Sequence, residues 1–432
     1  MDSKILEQLE EYFKGEFDLV QHDLGQLEEM IKQKMQLLGQ GLLQRAVERS
    51  PNGYKGSSIG CQCGCTMRFV GHRSRHIHTI FGWIEIKRAY YHCADCGASV
   101  VPYDAASGLG SSQLSPGLAK ACCLLAVDDS FAQVAQKIDS LMGQKVSSNT
   151  VEQVVHTAGA VAVKEQQQRL QEFTCHRQVP KPQVQPDRLY IAVDGTTAHQ
   201  TDGWHEAKVG CIYWDDQRFK RNSRYVACFD SSEIFGWRVW LEACRCGLRE
   251  AMEVVYLGDG AGWVRTEHER HFRRAVFIVD WFHACEHIWD CGKVLLGEGK
   301  EQTKRWVEKR KSLLWDGWTR KLLKDLNRQC KKYGGIKRKA IESLYHYILV
   351  NEEQMRYDVF RAKGYDIGSG AVEGACKYVI AKRLKQSGMI WTKHGSSAVL
   401  ALRTTWLNSS WRSLPEHGDD WEQLWLKKPL AA

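Results

Sequence analysis

Tyr190-Ile191-Ala192-Val193-Asp194-Gly195-Thr196 is the stretch on which the fold of this chain turns. An apolar run that ends in a carboxylate and a glycine reads as a buried strand delivering an acid to the edge of a sheet. A second run of the same build, Val255-Tyr256-Leu257-Gly258-Asp259-Gly260, follows, and Glu373 opens a helix after Ile367-Gly368-Ser369-Gly370. Any one Asp-Gly is explained by turn chemistry. Three acids at strand ends and a helix start are a set, and oxygen-rich sets of this kind suit Mg²⁺ or Mn²⁺. In-line cutting of a phosphodiester stabilises both an attacking and a leaving oxygen, which two ions about 3.5–4 Å apart can do.

Working outward from Asp194, strands are expected at Leu189–Val193, Glu206–Tyr213, Arg224–Phe229 and Gly236–Ala243. A helix at Leu248–Val254, a strand at Val255–Leu257, a helix near Thr266–Phe272 and a strand at Ala275–Val279 follow. Hairpin strands followed by βα units predict an α/β fold with a mixed sheet. From His283 to about Tyr357 the pattern is all-helical, and 371–386 is a further helix. Lys377 follows Glu373 by one helical turn, with Arg383 and Lys385 beyond it, so cations flank the acid as phosphate contacts would.

Upstream, the Pro-containing segment Val179-Pro180-Lys181-Pro182 through Pro186 marks a domain boundary. Residues 3–48 carry Ile5, Leu6, Leu9, Phe13, Leu38, Leu42 and Leu43 at helical spacing, and two or three helices are expected there. Between 61 and 103 the chain turns β-branched, aromatic and cysteine-rich. Cys61-x-Cys63-Gly64-Cys65 and Cys93-x-x-Cys96-Gly97, with strand-like runs between, have the layout of a zinc ribbon. Cys61, Cys63, Cys93 and Cys96 are the expected Zn²⁺ ligands, with Cys65 as substitute. Helices at Phe131–Met142 and Asn149–Thr157, separated by Gly143-Gln144-Lys145, form a helix-turn-helix candidate that would aim Asn149, Thr150 and Gln153 at DNA. The expected organisation is thus 1–55 helical, 56–105 zinc-ribbon-like, 106–178 helix-turn-helix-like, 187–290 with 366–412 a catalytic core, 291–365 a helical insertion, and 413–432 a tail.

Charge is unevenly spread. Residues 301–340 hold 14 Lys and Arg against 4 Asp and Glu, an excess of ten in a 432-residue chain of net charge +9. A concentration like this is the footprint of a polyanion. Trp315 and Trp318 lie within it and could stack on unpaired bases. No run of 18 apolar residues occurs, and Met1-Asp2-Ser3-Lys4-Ile5 lacks the charged-then-apolar pattern of a signal peptide. A soluble, cytoplasmic, nucleoid-associated protein is expected, with no membrane partner.

The strings YIAVDGTTAH, GDGAGWV, VDWFHACEHIW, GYDIGSGAVEGACK and RLKQSGMIW together resemble the core motifs of the ISKra-type bacterial insertion-sequence transposases, a group similar to the Mutator-like DDE transposases. The resemblance runs from about residue 40 to about 412 and includes RAYYHCADCG. It implies an RNase H-like catalytic core interrupted by a helical insertion, a DDE triad holding two Mg²⁺ or Mn²⁺ ions, and transposon-end and target DNA as partners. Binding two ends at once implies a homodimer or higher homo-oligomer. In those relatives the middle acid sits in an Asp-Gly string and a Cys- or Asp-x-x-His motif follows. Here Asp259 comes 65 positions after Asp194, and Asp280-Trp281-Phe282-His283 begins 21 after Asp259. The resemblance therefore makes Asp194, Asp259 and Glu373 the triad, with Asp280 and His283 the accessory pair and Asp280 the alternative middle acid. A host-captured DNA-binding regulator, or an RNase H-like nuclease without strand joining, are the other functions that fit the motifs.

Overall fold

A computed structural model of the chain describes residues 7, 11 and 23–408, apart from 110, 111 and 219. The expected helical positions Ile5, Leu6, Leu9 and Phe13 and the tail 413–432 lie outside the described residues. Two compact units result, the first ending at Val155 and the second beginning at His156.

In the first unit the helix α1 (Leu24–Arg49) lies along a four-stranded antiparallel sheet, β1 (Ser58–Gly60), β2 (Thr66–Thr79), β3 (Gly82–His92) and β4 (Ser99–Val100), in that order. Gln44 fastens them, since its amide donates to the Glu85 carbonyl at 3.0 Å and its Oε1 accepts the Glu85 N–H at 2.9 Å. Thr79-Ile80-Phe81-Gly82 makes the β2–β3 turn expected around Phe81-Gly82-Trp83. Next come α2 (Pro102–Ala106), α3 (Pro116–Ala126), α4 (Phe131–Met142) and α5 (Ser148–His176). Ser130 and Gln133 form a reciprocal capping box at the start of α4, and Gly143 ends it in the left-handed conformation at φ 63°. The expected helix, short turn and helix are therefore present, but α5 runs 19 residues past Thr157.

The division between units falls inside α5, not in the 179–186 linker. The later part of α5 packs with the second unit, where Phe173 meets Trp237 and Trp240, each at 5.1 Å between ring centres. The linker itself lies against that unit through the Gln183 N–H, which donates to the Arg245 carbonyl at 2.7 Å.

The second unit is built on a five-stranded mixed sheet. Its strands are β5 (Arg188–Gln200), β6 (Gly203–Asp215), β7 (Arg221–Cys228), β8 (Glu253–Gly258) and β9 (Val276–Val279), in the order β7-β6-β5-β8-β9. The hairpin strands β5, β6 and β7 are antiparallel, whereas β8 and β9 pair in parallel. Central β5 is buried from Leu189 to Val193, as its unbroken apolar run demands.

Two expectations fail between β7 and β8. Gly236–Ala243, expected as a strand, is part of helix α6 (Ser232–Arg245), and Leu248–Val254, expected as a helix, is turn followed by the start of β8. Ser231 caps α6 by accepting the Ile234 N–H, and its buried positions Phe235, Val239 and Ala243 recur at helical spacing. Val239 and Phe235 of α6 meet the backbone at Gly210 on one face of the sheet, accompanied by α7 (Gly262–His271).

Beyond β9 the chain is helical, as expected, through α8 (Trp281–Leu296), α9 (Glu301–Trp315), α10 (Thr319–Cys330), α11 (Gly335–Val350) and α12 (Tyr357–Ala362). It then returns to the sheet as α13 (Gly370–Ala375), a π-helical turn at Cys376–Ala381, α14 (Lys382–Leu384) and α15 (Lys393–Asn408). Helix α13 packs on β5 and β6, and α15 on β7. No described helix is long and apolar enough to cross a membrane.

A π-turn widens the helix and leaves backbone carbonyls in need of donors. Buried Arg403 of α15 supplies them, its guanidinium donating to the carbonyls of Tyr378 and Val379, with Nε at 3.1 and 2.9 Å. Arg403→Met strips those donors from a dry interior and is expected to cost about 2 kcal/mol or more in urea unfolding. A loss below about 0.5 kcal/mol, the usual surface value, would mean that Arg403 does not hold the turn.

Candidate functional site

Asp194 is not at the end of its strand as expected. It lies inside β5, and what ends beside it is the neighbouring pairing. The parallel ladder of β5 and β8 runs to Ala192↔Leu257, after which only β6 accompanies β5. Asp194 and Asp259 each lie two positions beyond that last pair, at the carboxyl edge of the parallel strands, where the charge of one acts on the other. Burial pushes the Asp194 carboxyl above the usual range; the Gly195 N–H and the Cys376 thiol oppose the rise, and the charge of Asp259 adds to it. Asp194 Oδ1 accepts the Gly195 N–H at 2.7 Å and Oδ2 accepts from Cys376 Sγ at 3.3 Å. Burial and the adjacent Asp194 hold Cys376 well above the ordinary thiol value, so it is the protonated donor of that pair.

Asp259 sits in the turn after β8, where Oδ1 accepts the Ala261 N–H at 2.8 Å. Gly260 follows at φ +82°, where a Cβ would stand 3.1 Å from Asn351 Oδ1 and the left-handed backbone favours glycine. The helical insertion grips this turn. Tyr347 of α11 donates to the Asp259 carbonyl at 3.0 Å, and Arg265 reaches Asn351 Oδ1 at 2.6 Å.

Glu373 lies on α13, one turn before Cys376, but its carboxylate receives Lys377 Nζ at 2.8 Å. The oxygens of Asp194, Asp259 and Glu373 do not all come within 4.8 Å of one another. The charge of Asp259 acts on Asp194, while Glu373 is paired with a lysine on its own helix. Lys377 is accordingly a helical ion-pair partner. Lys385 reaches Thr196, two residues past Asp194 on the same strand face.

Arg383 requires correction as a phosphate contact: it is fully buried, 4.8 Å from the centre of the Trp391 ring and bonded to Met389 Sδ. Asp280 is corrected as an alternative metal ligand, since it is buried and its carboxylate already receives Phe282 N–H, Ser369 N–H and Ser369 Oγ. His283 of α8 is half-exposed beside Glu286 at 3.3 Å, and its charge reaches Asp194. The rings of His283, His287 and Tyr347 follow one another at 5.1 and 4.0 Å.

Trp315, expected to stack on bases, is a packing residue instead. Its ring meets Trp281 at 4.9 Å and carries the Arg361 guanidinium at 3.8 Å. Trp318 is 59% exposed at the head of α10. That helix buries Leu322, Leu323 and Leu326, and on its outer side Arg320, Lys321, Lys324 and Arg328 are exposed, with Lys331 and Lys332 just beyond. Its one acid, Asp325, is taken by buried Arg310 at 2.5 Å.

In the first unit, Thr150 belongs to the cap of α5, where its N–H donates to Ser147 Oγ at 3.1 Å, while Asn149 and Gln153 are exposed. Cys61 and Cys63 precede β2 and Cys93 and Cys96 follow β3, and the hairpin brings the four together. The Cys61–Cys96 sulfurs are 3.5 Å apart, the Cys63–Cys93 sulfurs 3.8 Å, and all four lie within 4.8 Å. A tetrahedron with bonds of about 2.3 Å has edges of about 3.8 Å, so the cluster can hold a metal ion. The backbone N–H of Cys65 and the Cys61 side chain hold Cys63 at about 6, a thiolate at neutral pH. Cys65 thus lies outside the four and serves one of them through its backbone.

Several of these residues had no counterpart in the sequence reading. Cys376 was findable, three places after Glu373 on a predicted helix. Tyr347, Ser369 and Arg403 were not, because each acts across at least 24 positions on a backbone carbonyl or a cap.

Fold and sites define a two-unit α/β protein with paired aspartates at a sheet edge and a separate four-thiol centre. The chain belongs to the uncharacterised protein family UPF0236, whose model matches residues 22–417. A relative described as UPF0236 protein in vanSb 3'region, from Streptococcus gallolyticus, is 26% identical over 352 residues, which cover 78% of this chain and 73% of that protein.

The cysteine geometry makes a prediction for purified protein analysed by elemental mass spectrometry. Cys93→Ser, at the buried ligand position, is expected to lose the bound metal, and Cys65→Ser to keep it. Equal loss in both would move the ligand set to include Cys65.

Proposed function

We propose that this protein is a DDE-type transposase that cuts and joins DNA strands on an RNase H-like core. The carrying observation is the emergence of Asp194 and Asp259 side by side where the β5–β8 ladder stops, with α13 and Glu373 on the neighbouring element. Strand order β7-β6-β5-β8-β9, three antiparallel then two parallel, supports the RNase H-like reading. So does the long helical insertion between Asp259 and Glu373, which a minimal core of that kind does not need.

A half-buried acid, Asp194, whose proton affinity burial raises and the charge of Asp259 raises further, fits a divalent-cation site, because a cation would relieve the repulsion. Asp194 and Asp259 would hold the ions, and Glu373 would complete the set on release from Lys377. When bound, Mg²⁺ or Mn²⁺ would lower the pKa of an attacking water or 3′-hydroxyl and stabilise the leaving oxygen. The residues of the chain position the acids and the DNA. Tyr347 fixes the Asp259 backbone and the Cys376 thiol orients Asp194, while Lys385, beside Thr196, would take a phosphate and His283, which acts electrostatically on Asp194, would face the leaving group.

The exposed cations of α10 with Trp318 would hold the DNA backbone and stack a base, and the exposed Asn149 and Gln153 would face a groove. The four-cysteine centre is read as structural Zn²⁺, since all four ligands are thiols and no position is left open for substrate. Two transposon ends would require two copies of the chain.

The test is cleavage and joining of labelled DNA carrying the element's ends, with Mg²⁺ or Mn²⁺. Asp194→Ala, Asp259→Ala and Glu373→Ala are expected to lose both steps while still binding DNA. DNA binding without cleavage by the unaltered protein would favour a DNA-binding regulator, and cleavage without joining would favour a nuclease.

A further inference from the structure

The Asp280-Trp281-Phe282-His283 string is left without a chemical role for its first residue once Asp259 is paired with Asp194. Asp280 is 6% exposed, yet it carries a carboxylate with no lysine or arginine bonded to it among the described contacts. Burying a carboxylate is costly unless donors replace its water.

Those donors come from two segments far apart in sequence. Oδ1 accepts the N–H of Phe282 at 3.0 Å, capping α8, and also the N–H of Ser369 at 3.1 Å. Oδ2 accepts the Ser369 hydroxyl at 2.5 Å. The backbone continues the link: Asp280 N–H donates to the Gly258 carbonyl at 2.8 Å, and Trp281 N–H to the Ile367 carbonyl at 2.9 Å.

Each attachment has a place in the site. Gly258 immediately precedes Asp259. Phe282 begins the helix that carries His283. Ser369 caps α13, the helix of Glu373, whose N–H donates to the Ser369 carbonyl at 2.8 Å. Gly368 lets the loop close, since a Cβ there would stand 2.7 Å from the exposed Phe282 ring. The helical insertion therefore leaves the sheet and rejoins it at one carboxylate.

We infer that Asp280 is a positioning residue, a clamp joining the two ends of the helical insertion and fixing the α13 start, and so Glu373, relative to Asp259. Its geometric part stands on the hydrogen bonds alone; its consequence for metal binding rests on the proposed carboxylate site. The clamp asks only for an acceptor that spans two N–H groups and a hydroxyl. Asn meets that requirement, because its Oδ1 can cap both amides and its amide can donate to the Ser369 hydroxyl. Ala does not.

The experiment uses the full-length protein with Asp280→Ala, Asp280→Asn and Ser369→Ala, followed by hydrogen–deuterium exchange and by Mn²⁺ titration. Asp280→Ala is expected to accelerate exchange in both 281–283 and 367–370, with Asp280→Asn restoring protection. Mn²⁺ affinity is expected to fall roughly tenfold or more in Asp280→Ala, as for lost outer-shell partners of metal ligands. Ser369→Ala should share part of that fall, although Ser369 is no candidate ligand, and Asp280→Asn should stay near the unaltered protein. Unchanged exchange at 367–370 in Asp280→Ala would overturn the clamp, and loss of Mn²⁺ in Asp280→Asn as complete as in Asp280→Ala would make Asp280 a ligand. Absent Mn²⁺ binding in the unaltered protein, with the exchange pattern as expected, would remove the carboxylate metal site and leave the clamp standing.

Discussion

The parallel pairing of β5 with β8 stops at Ala192↔Leu257, and most of what is distinctive in the second unit follows from where it stops. Hydrogen bonding to both neighbours keeps Leu189–Ala192 buried and apolar. One step later β5 loses its partner on that side while keeping β6 on the other. An acid at 194 can then be half-buried without being sealed in. The chain leaving β8 must turn at the same level, which puts Asp259 next to it. Two like charges at one edge are unfavourable in the absence of a cation, and the charge of Asp259 adds to the rise that burial imposes on the Asp194 carboxyl.

The rest of the unit secures this edge from three directions. From the insertion, Tyr347 and Asn351 hold the Asp259 turn. From β9, Asp280 ties both ends of the insertion to the strand that precedes Asp259. From the far face, the π-turn after α13 presents Cys376 to Asp194, and Arg403 compensates the carbonyls that the turn leaves open. The first unit follows different physics, with four thiols at the base of a long hairpin where its apolar clusters are small.

What the sequence could reveal depended on range. The strand Leu189–Val193, the turn after Leu257, the helical insertion and the two cysteine knuckles were legible because hydrophobic period and local punctuation carry them. Gly236–Ala243 reads as a strand because its two Trp and one Val mimic β composition, whereas the Ser231 cap and the pairing of α6 with α7 settle it as helix. Arg383 and Trp315 looked like DNA contacts because a charge or a ring in a basic stretch has no visible depth. Asp280 was ambiguous for a related reason: the strand before it resembles the one before Asp194, and only Ser369, 89 positions away, distinguishes a cap from a ligand.

Titration of the protein with Mn²⁺, followed by electron paramagnetic resonance with the cysteine centre left intact, addresses the paired aspartates most directly. Saturable Mn²⁺ uptake that disappears in Asp194→Asn and in Asp259→Asn, while the fold is retained, is the expected result. Uptake that is absent from the unaltered protein, or that persists undiminished in both variants, would show that the edge at β5 and β8 is not a metal site.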